Sequence, residues 1–161
     1  MNDIKQNLPV IDFFDGTKYD FLSNFHPSPV YLEPWMTFSG LKTGPIKCQT
    51  VENAFQAAKA TTATQCERIA SATNPGLAKS MGRSTAIRSD WEEVKVDIMR
   101  QLVFSKFIYN LDLQQQLLGT HPAILIEGNT WRDRFWGVYK GDGLNWLGII
   151  LMETRNLLRS L

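Results

Sequence analysis

The chain changes character at Thr50. Before it, short aromatic and β-branched runs, Val10 to Phe14 and Val30 to Leu32, are cut by Gly16, Pro27, Pro29, Pro34, Gly40, Gly44 and Pro45. That is the punctuation of short strands and turns. After Thr50, apolar residues recur at three- and four-residue spacing, a period that is buried along one face of a helix. Two patterns in largely separate blocks imply helices packed on a small sheet: an α+β class, predominantly helical. The 161 residues can bury about two thirds of the unfolded surface around one core, so a single domain over 1–161 is expected. No repeat, low-complexity tract or linker divides it.

Helix boundaries follow from capping chemistry. Thr50 reads as an N-cap with Glu52 in the favourable first turn, and Val51, Phe55 and Ala58 fall on one apolar side. A short helix is expected over 64–72, and Pro75 opens another that runs to about Met81 before Gly82. Ser89 and Glu92 form a Ser-x-x-Glu capping box ahead of a stripe of Trp91, Val94, Ile98, Met99 and Leu102, which predicts the longest helix over 90–108. Asp112 caps a short helix ending at Gly119, and Ala123 to Ile126 reads as a strand. Asn145 caps a final helix carrying Leu147, Ile150, Leu151, Thr154, Leu158 and Leu161, with Gly148 allowing close backbone approach.

Composition narrows the function. Seventeen basic against sixteen acidic residues leave a net charge of +1, too little for the broad basic field of non-specific nucleic-acid or membrane binders, so any nucleic acid is recognised locally. Cys48 and Cys66 lack CxxC spacing and are far in sequence from His26 and His121, which speaks against a zinc site or disulfide framework. The N-terminus lacks the apolar core of a signal peptide, and no run approaches the roughly 18 apolar residues of a membrane span. A cytoplasmic protein with reduced thiols, no membrane association, no metal and no cofactor is expected.

Three constellations could carry chemistry. Glu52, Gln56 and Lys59 share a polar stripe on the helix after Thr50, which periodicity alone reads as a solvated face. Arg83 and Arg88 offer forked donors suited to phosphate, or else are surface arginines flanking a helix C-cap at Gly82. The segment 127–148 concentrates Glu127, Asn129, Asp133 and Asn145 with Trp131, Trp136 and Trp146. Such a mixture suits a sugar and a flat base, although the same indoles could simply close a core. Asp15, Asp20, Ser23 and Asn24 belong to turn chemistry, Phe25 to a core, and His26 has no identifiable partner. There is neither a G-x-S-x-G elbow nor a phosphate-binding glycine loop.

Ser23-Asn24-Phe25, Thr50-Val51-Glu52-Asn53-Ala54-Phe55-Gln56-Ala57-Ala58-Lys59, Met81-Gly82-Arg83, Arg88-x-x-Trp91-Glu92-x-x-Lys95-x-x-x-Met99, Lys106-Phe107, Asp133-x-x-Trp136-Gly137 and Gly143-x-Asn145-x-Leu147-Gly148-x-x-Leu151-Met152-x-x-Arg155 together resemble the YbiA-like, or NADAR, family over nearly the whole chain. The resemblance implies a single α+β domain and an N-glycosidase. Its substrate would be a ribosylated base, either a phosphoribosylated riboflavin intermediate or ADP-ribosyl-guanine in DNA. It implies catalytic roles for Glu52, Lys59 and Asp133, and substrate contacts from Asn24, Phe25, Gln56, Arg83, Arg88, Trp91, Trp136, Gly137 and Asn145. The chain departs from the family pattern at Asn53, where a histidine is usual, and at Cys48, where an aromatic is usual. Asn53 forms hydrogen bonds but does not titrate near neutral pH.

Cleaving an N-glycosidic bond builds positive charge on C1′ and O4′ of ribose, so one of Glu52 and Asp133 would activate water or stabilise the cation while the other holds ribose hydroxyls. Lys59, if partly neutral, could instead attack C1′. Trp91 and Trp136 would border the base. The alternatives are a non-catalytic ADP-ribose or nucleotide reader, kept open by Asn53, and a partner-binding domain.

Overall fold

The computed structural model describes residues 7–39 and 44–161; the turn expected at Gly40 lies outside them. In chain order the elements are β1 (Val10–Ile11), β2 (Val30–Leu32), β3 (Ile46–Cys48), α1 (Val51–Ala57), α2 (Ala63–Ala70), α3 (Pro75–Ser84), α4 (Trp91–Ile108), α5 (Leu111–Gly119), β4 (Ile124–Leu125) and α6 (Trp146–Ser160). Helices dominate, as the α+β reading requires. Among the described residues the strands form two separate two-stranded sheets instead of one. The described residues divide into two compact units: Ser23–Leu113, and the segment up to Leu22 together with Gln114–Leu161.

In the unit Ser23–Leu113, β2 and β3 pair antiparallel, Val30 opposite Cys48 and Leu32 opposite Ile46. Helix α1 is the hub, packed against α2, α3 and α4 and against both strands. Thr50 caps it as expected, its hydroxyl accepting from Asn53 N at 3.1 Å. Surrounded in this way, a seven-residue helix has no solvated face, and every residue from Val51 to Ala57 is buried. The reading of Glu52 and Gln56 as a solvent stripe is therefore corrected. Cys48 and Cys66 are both free and buried. Burial raises the thiols to about 12 and about 11, which leaves them as inert core residues.

Other boundaries shift for local reasons. Gly82 does not end a helix: α3 continues to Ser84 and leaves into extended backbone at Thr85. The N-cap of α4 is Asp90, not Ser89, and its side chain makes no capping bond, because the carboxylate is gripped by Arg88. Glu92, expected to complete the capping box, pairs instead with Lys95. Asn110, not Asp112, caps α5, accepting from Leu113 N.

In the other unit β1 and β4 pair in parallel, Val10 with Ile124 and Ile11 with Leu125, and α6 packs on β4. Its Leu147, Ile150, Leu151, Thr154 and Leu158 are buried as the spacing predicts, whereas Leu161 lies past the helix end, 82% exposed. Gly148 is where α6 meets the strand: a Cβ there would sit 2.2 Å from Leu125 O. Asn145 is the N-cap residue, in left-handed backbone with φ 56°, but makes no side-chain cap bond. Its amide is used elsewhere, accepting from Glu127 N and donating to Leu125 O, both at 2.9 Å. No helix among the described residues is long and apolar enough to cross a membrane.

Candidate functional site

Among the described residues, a cluster of titratable groups lies in the unit Ser23–Leu113, where Glu52 and Lys59 meet the charges of Lys79 and Arg83 on α3. Glu52 is only 5% exposed. Its backbone N–H donates to Asn24 O at 3.1 Å, and its carboxylate accepts from Gln56 Nε2 at 2.8 Å. Burial raises the carboxyl above its ordinary range, opposed first by the positive charge of Lys79, then by the Gln56 hydrogen bond, then by Lys59 and Arg83. Lys59, just past the end of α1, is half-buried, and its amine is pushed below its ordinary value by that burial. Glu52 counters the shift, while Lys79, Arg83 and Lys95 reinforce it. Both groups therefore move toward their neutral forms, because lost solvation outweighs their mutual attraction.

The aromatic residues hold this amine. Phe55 and Trp91 pack with ring centroids 4.9 Å apart, and Lys59 Nζ lies 5.6 Å from each ring, within reach of both π faces. Trp91 is buried, so its ring serves as the floor beneath the ammonium. On α3, Lys79 and Arg83 are one turn apart, and Lys79 Nζ lies 5.5 Å over the half-exposed ring of Phe25. Lys79 is the residue that sequence reasoning missed. Its i, i+4 spacing to Arg83 was a visible signal.

Other expected residues of this unit are committed within the fold. Arg88 is buried; its Nε and Nη2 donate to the two Asp90 carboxylate oxygens at 2.6 and 2.8 Å, and Nη1 donates to Met36 O at 2.6 Å. This fork ties the start of α4 to the chain after β2, and it holds Asp90 below the ordinary carboxylate range. Asn24 Nδ2 points to Met99 Sδ at 3.4 Å. Asn53, the departure from the family pattern, is fully buried and pins α1 to the end of α2. Its Nδ2 donates to Ala72 O at 2.9 Å and its Oδ1 accepts from the Thr50 hydroxyl at 2.8 Å.

Asp133, Trp136, Gly137 and Asn145 fall together in the loop between β4 and α6 in the other unit. Asp133 Oδ1 accepts from the N–H groups of Phe135 and Trp136, both at 2.9 Å, an Asx turn. Asn129 braces it, accepting from Asp133 N and donating to Asp133 O and Val138 O. Gly137 O accepts from Asn145 N at 3.3 Å. Phe135 stacks edge-on with Trp136 and tilted against Trp146, while Trp131 is exposed.

A family model described as the NADAR domain matches residues 13–159. The chain is 36% identical over 153 residues to N-glycosidase YbiA of Escherichia coli (strain K12), covering 92% of this chain and 88% of that protein. It is 34% identical over 151 residues to N-glycosidase Npun_R5314 of Nostoc punctiforme, covering 89% and 88%. Over a shorter stretch of 97 residues, 56% of this chain but 16% of the other, it is 38% identical to the chloroplastic riboflavin biosynthesis protein PYRR of Arabidopsis thaliana. The NMR structure of E. coli YbiA superposes with a TM-score of 0.77 at 34% identity, over 94% of this chain and 86% of that one.

Proposed function

The chain belongs to the NADAR domain family, and from that premise we propose that it is an N-glycosidase hydrolysing the bond between a base and a phosphorylated ribose, with Glu52 as the proton acceptor. The observation that carries this reading is a buried carboxyl, raised by burial and confronted by Lys59, Lys79 and Arg83. A carboxylate whose affinity for protons is raised is a better base than a surface glutamate. Three cations around one acid leave net positive charge for an anionic substrate. Lys79 and Arg83 are assigned to phosphate, where an ammonium and a forked guanidinium are complementary. Arg88, whose donors are engaged within the protein, is assigned to holding α4 instead.

Water attacks C1′ as the C1′–N bond breaks, its proton passes to Glu52, and the bonding pair leaves on the base nitrogen, which is protonated from solvent while Glu52 later returns its proton to solvent. A covalent variant uses the Lys59 amine as nucleophile, giving a Schiff base with the opened sugar that water then hydrolyses. Trapping with borohydride separates the two: turnover without an adduct, and activity kept in Lys59→Ala, sinks the covalent route. Asp133 and Asn129 are assigned to shaping the loop that carries Trp136.

The reader alternative rested on Asn53. That side chain is spent on Thr50 and the α2 terminus, so the missing imidazole takes no group away from Glu52. Candidate substrates are ribosylaminopyrimidine phosphates and ADP-ribosylated guanine in DNA. Incubation with each, with free base measured by chromatography, is the test. Saturable binding of both without base release, in the wild-type chain, would overturn the proposal in favour of a reader. With release, Glu52→Gln should lower kcat by roughly two to four orders of magnitude while binding persists.

A further inference from the structure

We propose that Gly82 and Gln56 form a positioning device for Glu52, in which a missing side chain on α3 sets where the acid on α1 points. Gln56 was expected at the substrate, but its amide is 4% exposed and turned along its own helix, with Nε2 donating to Glu52 Oε1 at 2.8 Å. The other end, Oε1, has no hydrogen-bond partner. Packing therefore holds that end, and the packing surface is Gly82. A Cβ built on Gly82 would lie 2.0 Å from Gln56 Oε1, 2.9 Å from its Cδ and 3.1 Å from its Cβ. All three of those nearest atoms belong to one side chain, so a methyl group there expels Gln56 before it moves any backbone. The rest of the surroundings push on Glu52 by charge alone: Lys59 after α1, and Lys79 and Arg83 on α3, with Lys95 on α4 acting on Lys59. Gln56 is the described residue that gives the carboxylate a directional bond. Gly82 keeps that bond aimed.

The inference rests on Glu52 being the reacting acid, and its test has one arm that needs no substrate. The first measurement follows the titration of the Glu52 side-chain carboxyl by carbon NMR in the wild-type chain, Gly82→Ala, Gln56→Ala and the double variant. Both single variants should move the midpoint upward, since the donor to the ionised form is lost, and the double variant should match Gln56→Ala. The second measurement, base release, should show Gly82→Ala lowering kcat by about tenfold with KM nearly unchanged, and no further loss when added to Gln56→Ala. A midpoint unmoved in Gly82→Ala, or losses that add in the double variant, overturns the device. Should Gly82→Ala fail to fold alone, the double variant carries the comparison: folding rescued by Gln56→Ala, with that single variant's midpoint, supports the contact, and a double variant that also fails to fold overturns it. An upward midpoint in a chain that releases no base from either substrate keeps the device and rejects the glycosidase reading instead.

Discussion

At the scale of single residues, the proposed site would draw its chemistry from groups taken out of water. Glu52 and Lys59 sit where burial disfavours both charges, and the same strain that tunes them costs stability. The sign follows from the direction of the Glu52 shift. A carboxyl raised in the folded state binds its proton more tightly there than in the unfolded chain. Its stabilising contribution is complete below the ordinary carboxylate value and is lost as pH rises through the folded-state value. Glu52→Gln removes that dependence while keeping an oxygen to accept from Gln56. The variant should therefore melt higher than wild type, by a margin that grows as pH rises from the ordinary carboxylate value through the raised folded-state value. Thermal unfolding across that range checks it, and a margin independent of pH would contradict the assignment. The residue types at this site were legible in the sequence as a polar stripe on one helix. Their burial was not, because periodicity tells which residues share a face and says nothing about what covers it.

At the scale of elements, α1 is short, central and dependent on its cap. Its seven residues are too few to form a helix unaided. Thr50 contributes twice, accepting from Asn53 N and donating to Asn53 Oδ1. Removing it strips the cap and leaves a buried amide oxygen without its donor. Thr50→Ala should cost about 1–2 kcal/mol in urea unfolding, with Thr50→Ser recovering most of it; equal losses in the two variants would show that the methyl group, not the hydroxyl, matters. The cap itself was readable from Thr50 and Glu52 because N-capping is local. The errors at Ser89 and Asp112 are of the opposite kind. There, neighbouring polar residues competed for the same task, and contacts such as Arg88 with Asp90 decided which side chain was spent elsewhere. Gly82 shows the same limit, since a glycine near an arginine reads as a helix end until the Gln56 side chain facing it is known.

At the scale of the whole molecule, one compact unit joins residues from both ends of the chain, and β1 is its N-terminal tie. That strand precedes residues 13–159, the span matched by the family, yet it and the preceding Pro9 supply Ile11 O and Pro9 O to the N–H groups of Ile126 and Ile124, both at 2.8 Å. Deleting the chain through Ile11 removes two backbone bonds and a buried isoleucine, a loss of about 3 kcal/mol. Hydrogen exchange should then accelerate at the amides of Ile124 and Ile126; unchanged protection there would mean that β4 stands without its partner. A net charge of +1 was readable from composition alone and remains the reason to look for local rather than field-driven recognition. By itself, the sequence determined the helices, the cap at Thr50 and the α+β class, because each depends on interactions between near neighbours. Tertiary structure alone decided that α3 brings Lys79, Gly82 and Arg83 against Glu52 and Gln56, and that Arg88 is bonded to Asp90 and Met36 and Asn53 to Thr50 and Ala72. Such pairings join residues far apart in the chain, and no local period or propensity records the packing that brings them together.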